Sequence, residues 1–377
     1  YTRNIKKPAF FLPPEFGEMF GEDGGGGGVS YVEIGEDNAF SAQALATYNL
    51  FTSGRVSAAI GAGREGLAAY REQERAAADY VRYRVREAYY TALLAAKIVD
   101  INERAFALTE EAVRVSRAGH DEGTVSRFDL LRAEVELANR RTPLVKAHND
   151  LDQSLITLRR RIGIEADAEI ALVDSLETVA MPGTLDGQLA GMRTASPELA
   201  ALEHQVEAMR HNLDLQRAGR WPVLQLTGSF TVQSEWSNEF VPDTDYIARS
   251  AAVGVGFNIP IFDGLETKGR IGKARAELRA AELEFERVER EKALVVRGTW
   301  LALENALVSL EGREEGVRLA EEAYRLALVR LRNGLATPLE RLDAELALTT
   351  ARGQLAEALY ACNVARAGLE LATGSSE

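Results

Sequence analysis

The sequence predicts a mainly α-helical chain with a β part, built twice over as strand pair, long helix, tight turn and return helix. A block of the chain returns 211 residues later without a gap: Phe51 as Phe262, Val85-Arg86 as Val296-Arg297, and Glu110-Glu111-Ala112 as Glu321-Glu322-Ala323. Gly123, Leu131, Ala133-Glu134 and Gly163 likewise return as Gly334, Leu342, Ala344-Glu345 and Gly374. Solenoid units run to roughly 20–50 residues, so this is a duplicated half-molecule. Each block also holds a very long proline-free helical stretch, and residues of alternating polarity precede it.

The first repeat is read as residues 1–163. It begins with a strand pair at 1–10 and 38–51 around an irregular stretch, 11–37, that holds Pro13-Pro14 and the run Gly24–Gly28. That run is a loop and no phosphate cradle, because no strand, glycine loop and Lys-Ser/Thr follow one another there. A helical hairpin over 54–162 completes the repeat, and a linker at 164–195, with Pro182-Gly183, carries one short strand and one short helix. The second repeat, 196–374, has a helix at 196–218 running into Trp221-Pro222, strands at 223–233 and 248–261, and a hairpin over 264–373. The irregular stretch between those strands holds Trp236 and Pro242. Helix 196–218 has no counterpart before the first block, which implies a further helix, and any targeting segment, ahead of the first residue.

Leu224, Leu226, Phe230 and Val232 alternate with Gln225, Thr227, Ser229 and Gln233; Val253, Val255, Phe257 and Ile259 alternate with Ala252, Gly254, Gly256 and Asn258. Residues 38–50 repeat the pattern more weakly and end in Tyr48 and Leu50. One apolar face and one small or polar face is the pattern of a membrane β-barrel strand, and equally of a half-buried soluble strand. Four strands with no helical cover and no second layer make a poor soluble sheet. Closing them into a barrel requires several chains.

The long helices run from near Gly54 to Gly119 and from near Gly264 to Asn333, each about 100 Å at 1.5 Å per residue. Such helices need partners along their length. Val296, Trp300, Leu303, Leu307 and Leu310 supply a 4-3-4-3 seam, continued by Val317, Ala320, Tyr324, Ala327 and Leu331. Val85, Tyr89, Ala92, Ala96 and Val99 match it in the first repeat. Gly119–Gly123 and Asn333-Gly334 stop the helices, Ser126 and Thr337 are placed as N-caps, and Pro338 suits a first turn.

A net charge of −13 argues against a nucleic-acid partner, and 46% apolar residues exclude general disorder. Cys362, the single cysteine, forms no internal disulfide, and no run of about 20 apolar residues suggests a transmembrane helix. No catalysis, metal or cofactor is expected. His120 and His148 stand alone, and His204 and His211 are seven apart, without the i, i+4 spacing of a zinc pair.

Together these pieces resemble the TolC-like outer-membrane efflux proteins over nearly the whole chain. The junctions Leu50-Phe51-Thr52-Ser53-Gly54 and Pro260-Ile261-Phe262-Asp263-Gly264 carry the resemblance, with Trp221-Pro222 at the entry to a strand. So do the hairpin tips: Gly123, Thr124, Val125, Ser126 and Asp129-Leu130-Leu131 in the first, Gly334, Leu335, Ala336, Thr337 and Glu340-Arg341-Leu342 in the second. The resemblance implies a homotrimer whose chains each give four strands to one 12-stranded outer-membrane β-barrel, continued by a periplasmic α-helical tunnel. It implies partners too: a periplasmic adaptor (membrane fusion protein) touching the tips, and an inner-membrane pump or ABC transporter. Acidic residues near the start of the return helix line the family's constriction; Glu340 and Asp343 match them, and Asp129 matches Glu340 in the first repeat, where Arg132 stands for Asp343. Such acids also stabilise a helix N-terminus by about 0.3–1 kcal/mol each, whatever else they do. Leu331 and Ala336 stand where some members latch the tip with a tyrosine and a basic residue. The competing reading is a soluble coiled-coil scaffold with a small β cap.

Overall fold

The structure, a computed structural model, describes residues 2–3, 9–11, 31–33, 37–165, 167–236 and 247–375. Residues 1 and 4–8 of the strand expected over 1–10 lie outside the described residues, as do the stretch with Pro13-Pro14 and Gly24–Gly28 and the loop with Pro242. The chain forms two compact units, residues 1–62 with 209–277 and residues 63–208 with 278–377. Each repeat gives its strands to the first unit and most of its hairpin to the second.

The first unit holds strands β1 (Thr2–Arg3), β2 (Ala9–Phe11), β3 (Tyr31–Glu33), β4 (Asn38–Phe51), β5 (Val223–Trp236) and β6 (Ile247–Asn258). The order β1-β4-β5-β6 makes one antiparallel sheet, and β2 pairs separately with β3. Register sorts the side chains cleanly, since facing residues share a side of the sheet. Ala42, Ala44, Ala46 and Tyr48 stand opposite Val232, Phe230, Gly228 and Leu226, which in turn face Arg249, Ala251, Val253 and Val255. Apart from Asn38, Ser234 and Arg249, all at its far end, that side is apolar. The other side carries Gln43, Thr47 and Asn49 against Thr231, Thr227 and Gln225, with Ser250, Gly254 and Gly256 beyond and Leu45 and Val223 as exceptions. Gln225 Nε2 donates to Asn49 Oδ1 across it at 2.9 Å. Among the described residues β6 pairs with β5 alone, and β4 meets β1 only at Asn38 and Ala39, so both edges present long rows of unpaired backbone. Strand β6 stops at Asn258, short of the expected 261, because Pro260 has no N–H for a ladder.

Each repeat leaves its last strand through the same elbow. Ser53 and Gly54 have φ of 52° and 84°; Gly264 and Leu265, their equivalents, have 65° and 70°. Two left-handed residues in succession turn strand into helix. The preceding residue caps the helix in both cases: Val56 N donates to Thr52 Oγ1 at 3.4 Å and Thr267 N to Asp263 Oδ2 at 2.8 Å.

The helices are α1 (Arg55–Asp121), α2 (Arg127–Ile162), α3 (Leu185–Ala195), α4 (Pro197–Ala218), α5 (Glu266–Arg332) and α6 (Pro338–Thr373). Pro143 sits within α2 without ending it. Within the second unit each long helix packs on its own return helix through the predicted seam. Ala92 and its equivalent Leu303 are both 0% exposed. Ala88 and Ala92 meet Leu158, Val296 meets Leu369, and Leu310 meets Ala358 and Cys362.

The described residues of the linker before α3 form no strand, contrary to expectation. Their backbone is held by helix side chains instead of a neighbouring strand. Asn363 Nδ2 donates to the Glu177 carbonyl at 2.8 Å, and Arg366 Nη1 to that of Ala180 at 2.9 Å. A second correction concerns α5, whose most apolar 18 residues average a hydropathy of 1.3, enough by length and composition to cross a membrane. Leu294, Leu301 and Val308 form a second apolar stripe, two positions from the buried Val296, Leu303 and Leu310 and so on nearly the opposite face. The two stripes together raise the hydropathy of a helix that belongs to the packed hairpin.

Candidate functional site: the hairpin tips and the seam above them

Both tips are short turns closed by local chemistry. In the first, Gly123 takes φ 78°, and the Gly119 carbonyl accepts from Thr124 N at 2.8 Å and Val125 N at 3.1 Å. A Cβ at Gly119 would meet Val125 Cγ2 at 2.6 Å, so the turn requires glycine there. His120 Nδ1 lies 3.0 Å from the Val125 carbonyl, which can only accept, so this nitrogen carries the proton. Ser126 caps α2, accepting from Asp129 N at 3.1 Å, and its hydroxyl donates to Asp129 Oδ2 at 2.6 Å. In the second tip Gly334 takes φ 71°, and Thr337 and Glu340 form a reciprocal capping box at the start of α6 with Pro338 in its first turn. Arg330 Nη2 donates to the Leu335 carbonyl at 3.1 Å and lies 3.7 Å from Glu340 Oε2.

Glu340 and Asp343 are exposed and three apart, hence on one helix face, while Asp129 is half-buried. Asp343 makes no hydrogen bond or ion pair among the described residues. Glu340 and Asp129 are partly engaged as helix caps. Thr124, Ser126, Gly334, Leu335 and Thr337 are exposed, and Val125 and Ala336 are half-buried.

A cluster that sequence reading missed lies above the tips. The Glu345 side chain, on α6, is 2% exposed; Arg341 Nη1, one turn earlier, lies 3.0 Å from Oε2, and Thr109 Oγ1 of α1 lies 3.2 Å from Oε1, its one proton shared with the Ala105 carbonyl at 2.9 Å. On α2, Arg140 Nε is 2.9 Å from Glu136 Oε1, yet Arg140 Nε and Nη2 are buried without an aligned hydrogen-bond partner. Burial pushes the Glu345 carboxyl above the usual carboxylate range; Arg341, Thr109 and Arg140 oppose that shift, and Glu136 adds to it. In sequence Glu345 is one of many helical glutamates, and its 211-residue equivalent, Glu134, makes an exposed pair with Arg117 at 2.5 Å.

Glu345 belongs to a seam between the repeats, where α1 meets α6. Tyr83 packs on Gly368, where a Cβ would lie 4.0 Å from the ring. Arg86 pairs with Glu370 at 2.9 Å, and Thr91 Oγ1 is 3.3 Å from the Tyr360 hydroxyl. Lower down, Ile101, Ala105 and Thr109 are buried, and a groove of about 650 Å³ separates part of α1 from α6 and the linker. The equivalents on α5 are uncovered. Leu294 and Leu301, matching Tyr83 and Tyr90, are exposed, and at Gly312 and Gly316, matching Ile101 and Ala105, an added Cβ would meet nothing within 4 Å. On α2, Val145 and Ile156 are 53% and 45% exposed, whereas their α6 equivalents, Ala356 and Ala367, are 3% and 6% exposed. The buried α1–α6 seam thus has an open second copy, half on α5 and half on α2.

Comparison with known proteins agrees with this architecture. A family profile described as outer membrane efflux protein matches residues 27–164 and 192–375. The outer membrane efflux protein BepC of Brucella suis is 25% identical over 315 residues, which cover 84% of this chain and 68% of that one. The alkaline protease secretion protein AprF of Pseudomonas aeruginosa is 25% identical over 296 residues, 77% of this chain and 60% of AprF. The chain therefore spans about two thirds of the length of these relatives. The crystal structure of the outer membrane protein VceC from Vibrio cholerae superposes with a TM-score of 0.68 at 17% identity, covering 89% of this chain and 86% of that one. With its profile matched across both repeats, this chain belongs to the outer membrane efflux protein family and resides in the outer membrane, with a periplasmic tunnel.

Proposed function

We propose that the protein is the exit duct of a tripartite efflux pump or type I secretion system, passively conducting substrates delivered by an inner-membrane transporter through a periplasmic adaptor. The observation that carries this reading is the two-faced sheet. Its apolar side suits lipid, its polar side suits a water-filled lumen, and its two open edges call for neighbouring strands. A soluble coiled-coil scaffold accounts for none of these three features.

The open second copy of the α1–α6 seam supports a ring of identical chains. When α5 of one copy receives α2 of the next, Leu294, Leu301, Gly312 and Gly316 meet the face carrying Val145 and Ile156, repeating between chains the apolar part of the contact made within each, while Arg297 and Arg159 replace the Arg86–Glu370 pair. Three chains with four strands each then close a 12-stranded barrel. In that ring Glu340 and Asp343 line the entrance as a cation-favouring constriction with Asp129 beside them, and the exposed turns at 119–127 and 330–338 meet the adaptor. The test is the detergent-corrected mass of the full-length protein extracted from the outer membrane, by light scattering. Three copies are expected; a monomer or dimer would overturn the duct.

A further inference from the structure

We propose that the foot of the barrel, where strands turn into helices, binds the phosphate groups of anionic phospholipid in the periplasmic leaflet. Arg55, Arg220, Lys268 and Arg275 supply the charge. This inference rests on the duct reading, whose lipid-facing side it extends to a particular class of lipid.

Apolar surface is the first argument. Phe51, Leu224 and Phe257 form the last row on the apolar side of the sheet. The apolar surface does not stop with the ladder. Ile261 and Phe262 of the second elbow are 92% and 82% exposed, and Trp221, just before β5, is exposed too. Large apolar and aromatic side chains left bare at strand ends mark the edge of the hydrocarbon. The helices that leave this edge run into the periplasm, so the edge belongs to the periplasmic leaflet.

Charge is the second. The chain carries −13 overall, yet residues 50–62, 209–221 and 259–277 hold eight arginines and lysines against four acids. Each acid is engaged locally: Asp214 with Arg217, Glu266 with Arg270 and Glu277 with Lys273, while Asp263 caps α5 through Thr267 N. The side chains of Arg55, Arg220, Lys268 and Arg275 are exposed and make no hydrogen bond or ion pair among the described residues. None of the four has an acid three or four residues away. Farther along α5 that spacing is used repeatedly, in Glu284–Arg287, Glu286–Arg290, Glu315–Arg318 and Glu322–Arg325. The foot therefore presents positive charge that the chain itself does not neutralise.

Geometry is the third. Ser53 Oγ donates to the Pro222 carbonyl at 2.8 Å, and a Cβ at Gly219 would lie 3.8 Å from Thr267 Cγ2. Residues 219–222 thus bridge the two elbows and set Arg220 between Arg55 and Lys268. Arg275, seven residues after Lys268, lies on the same face of α5 about 10 Å farther down. Arg220 is four residues from Leu224, at most about 14 Å below the last apolar row. Headgroups occupy roughly 5–8 Å beyond the hydrocarbon, and the long stems of arginine and lysine run along apolar surface to carry their charge there. A headgroup with one net negative charge suits this site, whereas a zwitterionic one brings its own ammonium. The collar of Phe51, Phe257 and Phe262 receives acyl chains, which a free phosphate lacks.

The test is quenching of Trp221 fluorescence in vesicles, with the full-length protein. Trp236→Phe/Trp300→Phe leaves Trp221 as the reporter in this chain. In phosphatidylcholine vesicles, brominated phosphatidylglycerol should quench it at about one fifth of the mole fraction that brominated phosphatidylcholine requires, the effect of a single engaged cation. Adding Arg220→Gln/Lys268→Gln should bring the two lipids to parity, and millimolar inorganic phosphate should change nothing. Equal quenching by both lipids before those substitutions, or a preference that survives them, overturns the site and leaves the duct standing. A preference abolished by inorganic phosphate overturns it in favour of a soluble anion. Should the reporter protein fail to insert, spin-labelled phosphatidylglycerol against spin-labelled phosphatidylcholine reads the same preference in the unmodified chain. Absence of quenching by either lipid takes the foot out of the membrane and brings down the duct reading and the lipid site together.

Discussion

Thr109 and Ala320 hold the same place in the two long helices, yet the first is 0% exposed beneath Glu345 and the second is half-uncovered. The contrast runs along the whole seam. On α1 the face toward α6 is covered and tied by an ion pair, a hydroxyl contact and a buried carboxylate. On α5 the same face is leucine, valine and glycine around Arg297, the equivalent of Arg86, and open. A duplication begins with two equal surfaces, and here one has become an internal joint with polar register marks. The other, apart from Arg297, has become apolar and narrow enough for another helix to approach closely.

The largest expected effect comes from filling the open copy. A Cβ added at Gly312 or Gly316 meets nothing within 4 Å, and leucine favours the helix over glycine by up to about 1 kcal/mol per site. Gly312→Leu/Gly316→Leu should therefore keep its helical circular dichroism while its light-scattering mass falls to one copy. A mass of three copies would show that this seam faces nothing in the assembly.

The tips offer a sharper, smaller contrast, since Asp343 in one repeat stands where the other has Arg132. Glu340→Ala/Asp343→Ala should lower the cation preference read from the reversal potential in a salt gradient, and Arg132→Asp should raise it. Unchanged reversal potentials would remove these carboxylates from the constriction.

The smallest effect is one of pH. The folded Glu345 carboxyl titrates above its unfolded value, so as pH rises from the ordinary carboxylate range the unfolded chain gives up its proton first. Stability from this site therefore falls with rising pH across that window and levels off once the folded group has ionised. Denaturant midpoints taken against pH should show that fall in the wild type and lack this component in Glu345→Gln. Parallel profiles would mean that Thr109, Arg341 and Arg140 fully offset the burial.

What could be read from sequence was what neighbours in the chain decide. Thr337-Pro338 with Glu340 announces a capped helix start because all the partners lie within four residues. The hairpin seam of Val296, Leu303 and Leu310 is legible because its period is local and its partner follows after one turn. Glu345 is not legible, since its burial is imposed by Thr109, 236 residues away. The second stripe on α5 escapes for a related reason: two apolar faces on one helix add to a single run, and only the covering of one separates them. The linker strand failed because extended backbone needs donors for its carbonyls, and Asn363 and Arg366 of α6 supplied them.

The elbows between strand and helix carry a last consequence. Both need two adjacent left-handed residues, but glycine fills the second slot in Ser53-Gly54 and the first in Gly264-Leu265. One glycine in either slot suffices, the other place being taken by a residue that bears the strain. The glycine can thus migrate one position along the chain while the corner keeps its shape. A search for such corners should ask for a glycine in either of two neighbouring columns, and an alignment that insists on one column will overlook half of them.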